Sequence, residues 1–230
     1  LLYKLVTGDF VFTTQVVMSA RGGTGIPSSN YSLAGPMIRT PKTLSNGTTG
    51  WTAGQENYIF LSTGYADENH HTCPGACPPP HFEVKNTQNS NSNLRVSEVG
   101  SQIITIRMVR IGSVILVLYR TPDNDFIVHQ RYNRNDFPAE MQVGFVTYTD
   151  WNKVFSYSTN DHNEYTLSPS VNPNINDLSG NPSMPFNPDL EARFDYARFD
   201  EVTVPEELEN VNLFNFYSLV VSQVNPVGLF

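Results

Sequence analysis

The sequence predicts an all-β fold, an antiparallel β-sandwich of two sheets, and three observations carry that reading. Apolar and polar residues alternate along short runs, Gly-, Asn-, Ser- and Pro-rich segments separate the runs, and no window shows an amphipathic helix of three turns. The 230 residues are 39% hydrophobic and 16% charged, with 14 Phe and 11 Tyr, which suffices for one sizeable core in a single large domain.

Taken in order, Phe10–Ala20 places Phe10, Phe12, Val16 and Met18 on one face and Thr13, Gln15 and Ser19 on the other. Strands are expected next over 34–40, 57–65, 81–86 and 93–97. Over 103–110, Ile104, Ile106 and Met108 alternate with Thr105, Arg107 and Val109; Gly112-Ser113 breaks the run, and Val114, Leu116 and Leu118 begin another, a hairpin signal. Strands over 126–132, 141–149 and 193–204 complete the set. Loops fall at 21–30, 43–50, 67–80 and 168–188, and the proline-rich stretch 158–190 reads as an insertion. The sandwich is expected over 1–205. Residues 206–230 form a C-terminal extension, acidic over 206–209 and apolar over 213–221, that packs either on the sandwich or on a partner chain.

The net charge of −8 disfavours nucleic acid as a partner, because a phosphate backbone attracts the opposite sign. No stretch reaches the roughly 18 apolar residues of a membrane-spanning helix. The chain opens on Leu1, which is expected to be the start of a processed or trimmed product. Cys73 and Cys77 lie close together in a proline-rich loop. Their spacing suits a local disulfide and an oxidising location, secreted, cell-surface or periplasmic. With His81 they also make a C-x3-C-x3-H pattern whose thiolates and imidazole suit copper or zinc; free thiols are the third possibility.

A series of motifs runs from Leu2-Tyr3-Lys4 and Gly8-Asp9-Phe10 through Ala34-Gly35-Pro36-Met37-Ile38-Arg39 to Phe82-Glu83-Val84-Lys85-Asn86-Thr87. It continues in Ile106-Arg107-Met108-Val109-Arg110-Ile111-Gly112 and Val143-Gly144-Phe145, and closes at Ala197-Arg198-Phe199-Asp200-Glu201-Val202. In this order the motifs resemble those of bacterial DUF1349-like and related concanavalin A-like lectin/glucanase domains of the LamG-type jelly-roll. Thr121-Pro122-Asp123-Asn124-Asp125 departs from the pattern, lacking its Gly and the Trp that follows, and Pro36 stands where a small apolar residue is usual. The resemblance implies a concanavalin A-like jelly roll, found as a module of secreted and surface proteins and associated with carbohydrate. It also implies a structural calcium ion held near the first and last strands, here by Asp9 and Asp200. Calcium takes oxygen ligands from separate loops; the competing reading has Asp200 hydrogen-bonding across that strand pair.

Catalytic signatures are missing: there is no G-x-S-x-G, H-E-x-x-H, P-loop or dinucleotide fingerprint, and no E-x-D-x-(x)-E strand. The nearest carboxylates, Asp195, Asp200 and Glu201, fall on the closing strand, away from a groove that would hold two of them about 5–5.5 Å apart. Aromatic rings beside loops are what sugar binding needs, since a flat ring stacks on a pyranose while polar side chains meet its hydroxyls. The expected ligand-binding set is Tyr31, Arg39, Trp51, Tyr58, Glu83, Arg107, Tyr132 and Trp151, with core packing as the competing fate of the rings. The function expected is a secreted bacterial, non-catalytic glycan-binding or adhesion module whose partner is carbohydrate. The alternatives are a structural subunit bound to another protein chain through its apolar tail, or a glycoside hydrolase or lyase.

Overall fold

A computed structural model describes residues 1–42, 52–66, 78–148 and 189–203. Twelve strands occur among them: β1 (Leu2–Thr7), β2 (Phe10–Ala20), β3 (Ser32–Arg39), β4 (Tyr58–Tyr65), β5 (His81–Gln88), β6 (Asn91–Glu98), β7 (Ile103–Ile111), β8 (Val114–Arg120), β9 (Ile127–Asn133), β10 (Glu140–Tyr148), β11 (Leu190–Phe194) and β12 (Arg198–Asp200). One sheet runs β1-β10-β3-β4-β5-β6 and the other β11-β2-β7-β8-β9, with β12 also on β2; every pairing is antiparallel. We call them sheet A and sheet B.

The alternation read from the sequence sets the core. Phe10, Phe12 and Val16 of β2 and Ile104, Ile106 and Met108 of β7 meet Ile38, Ile59, Leu61, Phe82, Val84 and Val143 of sheet A, all nearly removed from water. Burying such side chains stabilises the fold by about 1.5–3 kcal/mol each. The Gly112-Ser113 hairpin is present, with Ile111 opposite Val114 and Gly112 at φ 56. A second two-residue turn, Asn89-Ser90, has both residues at positive φ (48 and 66), so β5 and β6 run further toward each other than 81–86 and 93–97 suggest.

Two details explain motifs of the sequence. A Cβ at Gly144 would collide with the Leu2 carbonyl oxygen, so glycine is what lets β1 and β10 lie close. The β3–β4 ladder passes Gly35-Pro36 without register partners there and resumes in the same register at Met37–Phe60; proline has no N–H to contribute. Arg134, 2% exposed, ties the sheets at one end: it grips Asp136 at 2.7 Å, donates to Asn86 Oδ1 at 2.6 Å and lies 3.8 Å over the Phe137 ring.

The expected closing strand 193–204 is two strands. Asp195 leaves the ladder: its N–H donates to the Gln15 carbonyl at 3.0 Å, while its carboxylate accepts from Gln15 Nε2 at 2.6 Å and Arg193 Nε at 2.7 Å. Residues 195–197 therefore bend out between β11 and β12, and Tyr196 stands at the bend, 40% exposed. The 67–77 part of the cysteine loop, the proline-rich insertion up to 188 and the extension 206–230 lie outside the described residues.

Candidate functional site

Each sheet has a face turned away from the interior. On sheet B the register sets side by side Arg198 of β12, Thr13 of β2, Arg107 of β7 and Leu118 of β8, and in the next row Thr105 and Arg120. An apolar cluster of Val11, Val109, Leu116, Leu118 and Phe126 underlies this face. Phe126, 7% exposed, closes the gap just before β9. The Arg107 guanidinium lies 4.2 Å and that of Arg120 5.0 Å from its ring centroid, so one ring supports two cations.

A recess of about 310 Å³ opens over this arrangement. Its floor is Phe126, Thr13 and Thr105; Arg107 and Arg120 stand on one side, Tyr196 and Arg198 on the other. Arg107 Nε donates to Thr13 Oγ1 at 3.1 Å, which fixes the guanidinium plane. Arg198 is steadied by Asp200 at 2.8 Å. Burial is the first cause holding the Arg107 pKa below its usual value; Asp200 opposes the shift, and the like charges of Arg198 and Arg120 add to it. The recess is a positive spot on an acidic chain; Thr13, Thr105, Arg107, Arg120 and Arg198 stand on strands, and Phe126 and Tyr196 on the segments next to them. It can hold a ring against Tyr196 and donate several hydrogen bonds to it.

The outward face of sheet A collects most of the residues expected from the sequence. Arg39 and Tyr58 are direct register partners there. Arg39 pairs with Glu56 at 2.9 Å, Lys42 also grips that carboxylate, and Tyr58 stacks on Phe60 at 5.7 Å. These partners hold the Glu56 carboxyl below the usual range against the effect of burial, which raises it. Tyr31 packs with Tyr148 on the cluster of Leu33, Ala66 and Val96. Glu83 is 0% exposed, with Lys85 Nζ at 3.4 Å. This face is closed to solvent: Leu33, Ser62 and Val96 are fully buried and Phe60 is 5% exposed.

Tyr132 sits elsewhere again, packed against the core between the sheets, where burial pushes its phenol up to about 12. The structure thus brings together Arg39, Tyr58, Glu83 and Tyr31 on one face, separates Arg107 onto the other, and turns Tyr132 inward. Trp51, Trp151, Cys73 and Cys77 lie outside the described residues. His81, the last member of the Cys/His pattern, is 1% exposed and its Nδ1 accepts the Ala66 N–H at 3.1 Å. Asp9 accepts the Gly112 N–H at 2.7 Å and Asp200 holds Arg198, a cation that opposes a second one beside it. No group of three or more His, Cys, Asp or Glu gathers among the described residues.

Arg120, Phe126, Tyr196 and Arg198 were not among the expected site residues. A signal for the first was present: a two-residue turn at Gly112-Ser113 makes the paired residue numbers add to a constant, which sets Arg120 opposite Thr105 and diagonal to Arg107 on one face. Nothing comparable marks Tyr196, whose position depends on the break between β11 and β12.

No family model matches the chain, and no curated protein does. Solved structures do. A functionally unknown protein from Saccharomyces cerevisiae superposes with a TM-score of 0.51 at 11% identity, over 88% of this chain and 74% of that one. The GH43 protein BlXynB from Bacillus licheniformis gives 0.46 at 11% identity, over 84% of this chain, which spans only 27% of that protein's length. A lectin from Bauhinia forficata, solved in complex with GalNAc, gives 0.42 at 14% identity over 64% of this chain and 70% of the lectin. Among the described residues no helix is long and apolar enough to cross a membrane. Among the described residues the chain forms an antiparallel sandwich of two sheets, a fold it shares with the yeast protein.

Proposed function

We propose that this chain is a non-catalytic carbohydrate-binding module and that the recess on the outward face of sheet B is its binding surface. The observation that carries the reading is the pairing of an exposed Tyr196 ring with guanidinium and hydroxyl groups of the neighbouring strands around a 310 Å³ recess. That is the combination a pyranose needs, an apolar platform and directed hydrogen bonds. The carboxylates nearest to it are engaged by arginines, Asp195 by Arg193 and Asp200 by Arg198, which supports binding over hydrolysis. Placement among DUF1349-like domains, and a secreted or surface location, are finer parts of the same proposal and rest on the order of motifs and the cysteine loop. Titration of oligosaccharides into the protein tests it: saturable binding that Tyr196→Ala abolishes without changing the melting temperature is expected. Binding unaffected by that variant would remove the recess from consideration.

One observation favours docking to another protein chain as a second reading. Among the described residues β1 is an edge strand of sheet A, and Leu1, Leu2, Tyr3 and Leu5 are 44%, 74%, 42% and 49% exposed. Beside it lies a smaller apolar recess of about 160 Å³ against Phe12, Phe145 and Phe199. An unpaired apolar edge is a place where another strand adds. Light scattering of Leu2→Lys/Leu5→Lys against the parent chain distinguishes the readings, since only the second loses an assembly.

A further inference from the structure

Tyr196 reaches the recess because the strand that carries it holds one residue more than its partner. β11 pairs with β2 from Leu190 opposite Ala20 to Phe194 opposite Val16, and β12 resumes with Arg198 opposite Thr13. Two residues of β2, Thr14 and Gln15, therefore face three on the other side, Asp195, Tyr196 and Ala197. β2 itself is regular there, since Thr14 and Gln15 keep their places opposite Ile106 and Thr105 of β7. One extra residue in one strand of an antiparallel pair is a β-bulge, and it reverses the alternation beyond it. Phe194 and Phe199 are five positions apart, which in an unbroken strand sets them on opposite faces. Both instead pack against the core, Phe194 on Phe145 at 4.3 Å and Phe199 on Phe12 at 4.7 Å between ring centroids. The extra residue thus keeps both rings inside and turns Arg198 outward beside Thr13. Tyr196, in the middle of the bulge, is left 40% exposed on the recess.

Gln15 holds the bulge at two points. Its carbonyl accepts the Asp195 N–H at 3.0 Å, and its Nε2 donates to Asp195 Oδ2 at 2.6 Å, while Arg193 Nε donates to Oδ1 at 2.7 Å. These two donors, Arg193 first and Gln15 second, hold the Asp195 carboxyl below its usual range. Any residue at position 15 supplies the carbonyl, so what is particular to glutamine is the second bond, a charge-assisted one. That bond fixes the residue directly before Tyr196, and Gln15 itself is not part of the recess lining. With its neighbour fixed, the ring keeps one orientation toward the recess. Without it the ring samples others, and affinity falls by the fraction of time spent away. We infer, on the reading that this recess is the carbohydrate site, that Gln15 is its positioning residue: through Asp195 it sets the bulge that presents Tyr196 to the sugar.

The test compares the whole chain with Gln15→Met, which keeps the length of the side chain and removes its donor, and with Gln15→Lys, which restores a donor. Each is titrated with cello-, xylo-, chito- and galacturono-oligosaccharides, and amide hydrogen exchange over 194–198 is followed in parallel without sugar. For the probe that binds the parent, Gln15→Met is expected to weaken binding about fivefold, as loss of one such hydrogen bond does. It should also speed exchange over 194–198 and leave the melting temperature within about 2 °C of the parent's. Gln15→Lys is expected to bring binding and exchange back toward the parent. Binding by Gln15→Met as tight as the parent's, with Tyr196→Ala still abolishing it, would overturn the positioning role and leave the carbohydrate site standing. A loss of binding that Gln15→Lys does not restore, or that comes with unchanged exchange or a lowered melting temperature, would overturn the positioning role too. Binding indifferent to Tyr196→Ala, or no binding by any probe, would overturn the reading of the recess as the sugar site and the role of Gln15 with it.

Discussion

Glu83 and Arg107 occupy comparable stations. Each is a charged residue on a strand flanked by neighbours on both sides, β5 between β4 and β6 and β7 between β2 and β8, and each points away from the sandwich interior. Glu83 is nevertheless fully buried, on a face it shares with Leu33, Phe60 and Val96, while Arg107 lines an open recess. Period-two alternation assigns a side chain to a face. It does not say whether that face meets water, because covering a face is a long-range event and alternation is a local one. The two outward faces teach that a sheet in this fold can have a second core behind it, and the proposed binding surface lies where that second core is left incomplete.

The largest effect expected of a single change tests the closed face. Phe60→Ala removes a ring that is 5% exposed and should cost about 3–5 kcal/mol in urea denaturation. Tyr196→Ala, on the open face, should stay within about 0.5 kcal/mol. Equal costs for the two would erase the distinction between the faces.

Next in size is a pH effect that isolates the interior from both faces. His129 lies between the sheets, its ring 5.3 Å from Phe82 and 5.7 Å from Tyr119, and burial, helped by the charge of Arg95, depresses its pKa to about 4. The folded value is below that of the unfolded chain, so protonation favours unfolding. Its stabilisation is complete above about pH 6.5 and is lost as the pH falls toward 4, by up to about 3 kcal/mol. Asp136 and Asp189, whose pKa values are also lowered, act at lower pH than this window. His129→Phe should flatten the melting temperature between pH 6.5 and 4; a parent profile already flat there would contradict the burial of the ring.

Glu83→Gln sharpens the comparison on a smaller scale. Burial is the main cause raising the Tyr148 pKa and the Glu83 charge is the second. Removing the charge should lower the phenol's ionisation pH yet leave it above an ordinary tyrosine, read from the phenolate absorbance difference between variant and parent. The smallest expected effect is none: added calcium should not move the melting temperature, because Asp200 is already held by Arg198 at 2.8 Å. A calcium-dependent rise would restore the ion implied by the resemblance.

Much of the fold was legible from residues alone. Phe10, Phe12 and Val16 against Thr13 and Gln15 gave the faces of β2, and Gly112-Ser113 gave a hairpin in its true register. Of the proposed recess, only Arg107 was legible. Tyr132 has the composition of a ligand platform, a tyrosine beside arginine and asparagine, but its register opposite Ile115 turns it into the core. Arg39 and Glu83, expected to meet a ligand, stand on an outward face that is closed to solvent. Tyr196 and Arg198 were hidden within an expected single strand over 193–204, because what divides it is Gln15, some 180 residues distant in sequence.

That division has a consequence for how the molecule meets copies of itself. β11 and β12 together cover one margin of β2, and each is short, kinked away from the next, and carries an outward arginine. Among the described residues no long straight row of N–H and C=O groups is offered on that side, which disfavours strand addition there. β6, the far margin of sheet A, shows exposed Asn91, Ser92 and Asn93 instead of an apolar strip. β1 offers exposed Leu2 and Leu5 instead, so of these three margins it is the one at which an added strand would find apolar company.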